Sequence, residues 1–282
     1  MIVDCFTFFK EFEILEIRLN TLNKYVDKFI ITESEETFTG IPKTLHFQEN
    51  KKRFEKFLDK IIHIKLPKIP DHLDPYKGQV NWAREYYQGN ASMEYIKNFN
   101  AEDIIMISDC DEIPDLSKVD LSEINEPKVF LNNYFTFRFN LMAVNNEKTI
   151  ERIEGNPQVD TTPKNPWKWF GTTISKQKYI SKDLFWGRGS LREKRQALSQ
   201  IDGGWHFSSC MSNKDIINKI ASYSHANEYG QINNEEIINK YISENKDFCN
   251  YNLRDMKLIE ATTEYLPEYL VENKEKYSHL FK

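Results

Sequence analysis

Three acidic side chains within four positions, Asp109, Asp111 and Glu112, follow directly on the apolar run Ile104-Ile105-Met106-Ile107. Four apolar residues are too few for a buried helix and read as a strand covered on both faces, as in a parallel sheet. Pro114 stops that strand. Ligands of open α/β sheets bind just outside the carboxyl ends of the strands, so these acids stand where a site is expected. A D-x-D there offers hard oxygen ligands to Mg2+ or Mn2+, which in turn hold a diphosphate. In extended chain Asp109 and Asp111 point the same way while Cys110 points back. A bare D-x-D also arises by chance as a solvated turn or a helix cap. The clustering tips the balance towards a cation site, because like charges repel unless a cation joins them.

Further candidates lie downstream. In Asp202-Gly203-Gly204-Trp205-His206-Phe207-Ser208 the glycine pair permits close backbone approach. His206 reads either as a packed core histidine or as a nitrogen ligand joining the acids. Asp202 reads as a general base or as the end of a loop, and Glu112 is the second candidate base. Residues 186 to 195 place glycines beside Arg188, Arg192, Lys194 and Arg195. That pattern suits a basic lid over the phosphates of a donor, or equally a solvated loop. Trp167 and Trp169 suit a wall over a sugar as well as they suit a core. Arg84, Glu85 and Gln88 share a helix on which they either face the cleft or form a salt-linked surface.

The elements that must position these residues can be read from period and punctuation. Ile2 to Phe9 has strand composition, and Phe12, Leu15, Leu19, Leu22 and Val26 then recur at helical spacing. Lys28 to Ser34 forms a second strand, giving a β-α-β unit with a right-handed crossover. No G-x-G-x-x-G stands at its first turn, which disfavours the dinucleotide-binding version of such a sheet. A charged helix is expected over 49–60, an exposed strand over 61–66 and a long helix from Val80 to Phe99. Alternation over 128–139 predicts strands that add an antiparallel edge to the parallel core. Ser212-Asn213-Lys214-Asp215 has the form of a capping box opening a helix, and residues 231–282 read as a helical C-terminal extension.

Composition narrows the partners. The chain has 282 residues, with 38 basic and 43 acidic side chains and a formal charge of −5. That balance gives no general attraction to nucleic acid or to an anionic membrane. No apolar run reaches the roughly 20 residues of a membrane span, and no secretory signal opens the sequence, so a cytoplasmic protein is expected. Its 19 Phe, 14 Tyr and 5 Trp exclude a disordered chain. Cys5, Cys110, Cys210 and Cys249 are too scattered for a zinc or disulfide framework.

Several segments together resemble glycosyltransferase family 17. They are Asp4-Cys5-Phe6-Thr7-Phe8-Phe9, Glu13-Ile14-Leu15-Glu16-Ile17-Arg18-Leu19, Ser108-Asp109-Cys110-Asp111-Glu112-Ile113-Pro114 and Gly204-Trp205-His206-Phe207-Ser208, with Ser224-His225 beyond. The resemblance runs in order through about residues 1–230. It implies an α/β fold of GT-A type: a Rossmann-like mixed sheet flanked by helices, with 231–282 packed on it. It also implies a UDP-sugar donor (UDP-GlcNAc), Mn2+ or Mg2+, a carbohydrate or glycoprotein acceptor, and inversion at the anomeric carbon. Carried over by position, Asp109 and Asp111 form the D-x-D that is expected to hold metal and donor; from the residues themselves we add His206 as a metal ligand and Arg188 and Arg192 as donor contacts. Asp202, or else Glu112, takes the acceptor proton. The alternatives are a metal-dependent nucleotidyl- or phosphotransferase and a non-catalytic carbohydrate-binding protein of the same fold.

Overall fold

The computed structural model describes residues 1–70, 80–145, 165–180, 190–247 and 257–282. Strand β1 (Ile2–Thr7), helix α1 (Phe12–Leu22) and strand β2 (Lys28–Ser34) form the expected β-α-β unit. Strands β3 (Ile61–Leu66) and β4 (Ile104–Asp109) extend it to a parallel row β3-β2-β1-β4. Antiparallel strands continue from β4. They are β8 (Lys168–Lys176), then β6 (Lys128–Thr136), β7 (Leu141–Val144) and β10 (Lys257–Glu260). Strand β9 (Ser199–Ser208) runs parallel to β6 and pairs antiparallel with the two-residue β5 (Glu112–Ile113). Among the described residues the result is a mixed sheet of ten strands flanked by helices, the fold class that the resemblance implies.

Alternation along the parallel strands decides what each face carries. Phe6, Phe29, Ile31, Ile104 and Met106 join Ile14, Leu15 and Leu19 of α1 in the main core. Val3, Cys5, Ile30, Ile105 and Ile107 face the other way. They are covered by Tyr86 of helix α3 (Val80–Asn90) and by Met93 of helix α4 (Met93–Ile96). The same alternation sends Asp4 and Ser108 towards α1 and Asp109 towards α3.

Several local expectations change. The helix foreseen over 80–99 breaks at Ala91-Ser92, where the Ser92 hydroxyl donates to the Gly89 carbonyl at 2.9 Å. The segment foreseen as a helix over 49–60 is a short α2 (His46–Glu49) followed by a 3-10 stretch, Lys51–Phe57. The stretch kinks at Phe54, whose backbone is not helical, and both Phe54 and Phe57 are buried. The C-terminal extension is helical only in part. After α5 (Asn213–Ser222), α6 (Ala226–Tyr229) and α7 (Glu235–Ser243), the chain adds β10 to β7. It then returns through α8 (Glu268–Glu272), burying Leu266, Leu270, Tyr277 and Leu280 in the same core as α1. Ser212 caps α5 as its sequence foretold, accepting from the Asp215 amide at 3.2 Å. Among the described residues no helix is long and apolar enough to cross a membrane.

Candidate functional site

Strand β4 ends at Asp109, and the chain turns over Cys110 and Asp111 before Glu112 enters β5. The organiser of this turn is Arg18, a fully buried arginine on α1. Its Nε and Nη2 donate to the two carboxylate oxygens of Asp4 at 2.8 and 2.6 Å, and Nη2 also donates to Ser108 Oγ at 2.6 Å. Nη1 collects the carbonyls of Asp109, Cys110 and Glu112 at 3.0, 3.2 and 2.8 Å. Three carbonyls drawn to one nitrogen close the chain on itself. The extended geometry in which Asp109 and Asp111 would point alike is therefore lost, and the two acids meet different cations.

Asp109 and Glu112 share Arg192. Its Nη2 lies 2.7 Å from Asp109 Oδ2 and 2.6 Å from Glu112 Oε1, its Nη1 2.5 Å from Glu112 Oε2 and 2.7 Å from the Gly171 carbonyl. Glu112 is wholly buried and also accepts from Trp169 Nε1 at 2.6 Å and from the Asp109 amide at 3.2 Å. Burial would raise its carboxyl, but Arg192 outweighs that and holds it below the usual range. Asp109 remains 41% exposed. Loss of hydration at the strand end, together with the neighbouring Glu112 and Asp111, pushes it up to about 6 against the pull of Arg192.

Asp111 belongs to a second group. Lys219 of α5 places Nζ 2.9 Å from Asp111 Oδ2 and 3.0 Å from Glu11 Oε1. His206 Nε2 stands 3.5 Å from Asp111 Oδ1. Against the cost of burial, Lys219 and His206 hold Asp111 far below an ordinary carboxyl, and the two acids hold Lys219 well above an ordinary amine. His206 reaches this place because β5 pairs with β9 in a register that sets Glu112 opposite His206. Tyr134 and Trp169 pack on its ring, with centroids at 5.2 and 4.8 Å. Below, Asn132 lies between Gly171 and Gly204, donating to the carbonyls of Ile113 and Gly203 at 3.4 and 3.2 Å. The close approach foreseen for the glycine pair is realised here. A Cβ at Gly204, whose φ is +107°, would sit 2.3 Å from Asn132 Nδ2 and 2.5 Å from the Ile113 carbonyl.

Other expected residues divide. Trp167 is buried against Tyr134, whereas Trp169 faces the cluster through its bond to Glu112. Asp202 is 70% exposed and pairs with Lys168 at 2.6 Å; none of its described bonds reaches the acids. Arg188 and Cys249 lie outside the described residues. Cys5, Cys110 and Cys210 are buried free thiols. Arg195 stacks over Trp169 at 5.7 Å and donates from Nη1 to the Arg192 carbonyl at 3.0 Å. Its Nε is buried without a hydrogen-bond partner. Burial and the adjacent Arg192 bring it down to about 10, still a cation at neutral pH.

The donors expected to hold Mn2+ or Mg2+ have suitable chemistry, but they do not fit the ion as they stand. Asp109 is satisfied by Arg192 and Asp111 by Lys219, and among the described residues no three His, Cys, Asp or Glu side chains converge on one point. Arg18, Lys219, Asp4 and Glu11 were not singled out by sequence reasoning. Arg18 stands within a segment that carried the family resemblance, but nothing in its type or spacing marked it as buried.

Residues 1–154 match the family described as glycosyltransferase family 17. Over 110 residues the chain is 31% identical to the beta-1,4-mannosyl-glycoprotein 4-beta-N-acetylglucosaminyltransferases of Homo sapiens and Rattus norvegicus, and 30% identical to that of Mus musculus. Those alignments take in 37% of this chain and 20% of each relative, so only about a fifth of each relative's length is matched. The matched segment holds every acid of the cluster together with Arg18, while Arg192, His206 and Lys219 come from beyond it. With more than half of its length matching, and with a mixed sheet that gathers those acids at the end of β4, the chain belongs to glycosyltransferase family 17.

Proposed function

We propose that the chain moves a sugar, N-acetylglucosamine first among the candidates, from a UDP-sugar to a hydroxyl of a glycan. The displacement is direct and inverts the anomeric carbon. The observation that carries this reading is the meeting of an acidic strand end with three basic side chains, Arg192, Arg195 and Lys219, in a chain of this family. A departing UDP takes negative charge from the sugar, and fixed donors aimed at that charge lower the barrier because they need no reorganisation. Arg195 suits this task best, since its guanidinium is in no ion pair among the described residues and its Nε lacks a partner. Asp109 and Glu112 aim Arg192 beside it. Lys219 spans Glu11 and Asp111 and keeps the adjoining acids from repelling the diphosphate. Asp109, Asp111 and His206 do not converge among the described residues, so the charge on the leaving group falls to these basic side chains.

Calorimetric titration of UDP, UDP-GlcNAc, UDP-Gal, UDP-Glc and GDP-mannose, each with Mn2+ and with chelator, tests the donor class. Saturable binding of a UDP-sugar, weakened in R195A, is the expected result. Product analysis then separates chemistries. Free UDP and a lengthened glycan support transfer, whereas pyrophosphate or a phosphorylated product would replace this reading with nucleotidyl or phosphoryl transfer.

A further inference from the structure

We infer that Glu85, on α3, is the base that takes the proton of the acceptor hydroxyl; this rests on the sugar-transfer reading above. Among the carboxylates near the donor, the one suited to act as base in a direct displacement is one not locked in an ion pair. Glu112 is buried with both oxygens bound by Arg192, and one of them also by Trp169. Asp111 is held by Lys219 and Asp109 by Arg192. Glu11 accepts the Lys10 amide at 2.9 Å and pairs with Lys219. Asp202 is turned to Lys168. Glu85 alone among these candidates is in no ion pair among the described residues; its partner is the hydroxyl of Ser224.

Its position follows from the sheet. Thr32, Thr7 and Asp109 stand side by side on β2, β1 and β4. With strands about 4.8 Å apart, Asp109 lies roughly 10 Å from Thr32 across that row. Helix α3 crosses the row on the face to which Asp109 points, with Tyr86 packed against the cluster that contains Val3, Cys5 and Ile107 and with Gln88 Nε2 donating to the Thr32 carbonyl at 3.1 Å. Glu85 is one turn before Gln88. Trp82, one turn earlier again, meets the His225 ring at 4.6 Å, so this side of α3 faces the Ser224-His225 segment that follows α5. Asp109, Arg192 and Arg195 are the charges that act on Glu85. Burial first and Asp109 second push its carboxyl up to about 7, so it can both accept and release a proton near neutrality.

In the step itself the acceptor oxygen bonds to the anomeric carbon of the donor sugar and its proton passes to Glu85. The bond from that carbon to the diphosphate oxygen breaks, and its electron pair leaves with UDP. Glu85 then returns the proton to water, and nothing is oxidised or reduced.

The test measures UDP release from UDP-GlcNAc, with water alone and with a mannose-terminated glycopeptide, in wild type, E85Q, E85A and D202N. Removing a general base typically costs 10²–10⁴-fold in rate. E85Q is therefore expected to lose at least 100-fold in kcat with melting temperature and UDP-GlcNAc affinity near wild type, since its amide can still meet Ser224. Added formate is expected to restore part of the E85A rate, which a structural role would not allow. Active E85Q, absent formate rescue, or the full loss appearing in D202N instead would overturn the assignment of Glu85 alone. A wild-type protein inert towards every UDP-sugar would overturn the transferase reading and this inference with it.

Discussion

Arg18 offers the sharpest test of how the acidic turn is held. Its six hydrogen bonds divide into three to Asp4 and Ser108 and three to turn carbonyls. Lysine preserves the charge and can stay with Asp4, but one ammonium cannot span both sets. Bonds to a charged group contribute about 1.5–3 kcal/mol each, and a buried carbonyl left without a partner costs about 1–3 kcal/mol. Relaxation and water will recover part of this, so R18K should lose about 3–5 kcal/mol of unfolding free energy. That is survivable for a domain with roughly 5–15 kcal/mol in hand. R18M should cost more, because it strands Asp4 as an unpaired buried charge. Pairing it with D4L removes that charge but leaves the carbonyls orphaned. Urea denaturation of R18K, R18M and R18M/D4L, with UDP release measured alongside, separates the two duties. The double variant should regain stability over R18M yet remain at least tenfold slower than wild type. If R18K unfolds within about 0.5 kcal/mol of wild type, or if the double variant is fully active, Arg18 does not set the turn.

Replacing Lys219 with Met leaves Glu11 and Asp111 facing each other without their cation, at a cost of about 3–5 kcal/mol. The variant should be slower in UDP release and bind Mn2+ more tightly by calorimetry; unchanged behaviour in both would remove Lys219 from the site. For Gly204→Ala, the positive φ and the contacts with Asn132 and Ile113 should cost about 2–5 kcal/mol by urea denaturation. A loss below 1 kcal/mol would mean that β9 can shift without strain. Burial works against ionisation of Glu16, but hydrogen bonds from Lys276 and Arg53 prevail and lower its pKa. The stability it adds is then complete above its unfolded value of about 4.3 and lost as pH falls through the depressed folded value. Wild type minus E16Q, followed by denaturation between pH 3 and 7, should be flat above pH ~5 and shrink below pH ~4; a difference that grows on acidification contradicts the sign.

What was legible in the sequence was local. Asp109, Asp111 and Glu112 announced themselves because an apolar strand, an abrupt run of acids and a proline are adjacent in the chain. The capping serine at 212 and the β-α-β start were readable for the same reason. Arg18 was not, because it sits among Glu11, Glu13 and Glu16 on what reads as a polar face, and only the meeting of α1 with β4 buries it. Lys219 looks like one more charge on a capped amphipathic helix; its meaning comes from the docking of α5 against the Glu11 turn. The relation between Asp109 and Asp111 escapes the sequence for a related reason. Alternation holds only while the chain stays extended, and a distant arginine ended the extension one residue too soon. Glu85 reads equally as part of a salt-linked surface, and only the β1–β2–β4 register fixes what its helix crosses.

These long-range meetings share a direction. Asp4, Glu11, Arg18, Glu85, Asp109, Asp111 and Glu112 all come from the first part of the chain, which builds the parallel row. Trp169, Arg192, Arg195, His206 and Lys219 come from the part that adds the antiparallel strands and α5. The first part brings an excess of buried carboxylates, and burying like charges without partners is costly. The second part supplies the cations that neutralise them, through Arg192 on Asp109 and Glu112 and Lys219 on Glu11 and Asp111. The acids therefore do double service. They orient basic groups towards the space in front of β4, and they make the sheet's own completion the condition for having a site at all. A nucleotide diphosphate entering that space would meet cations already aimed by the fold, with Arg195 the one least engaged by carboxylates.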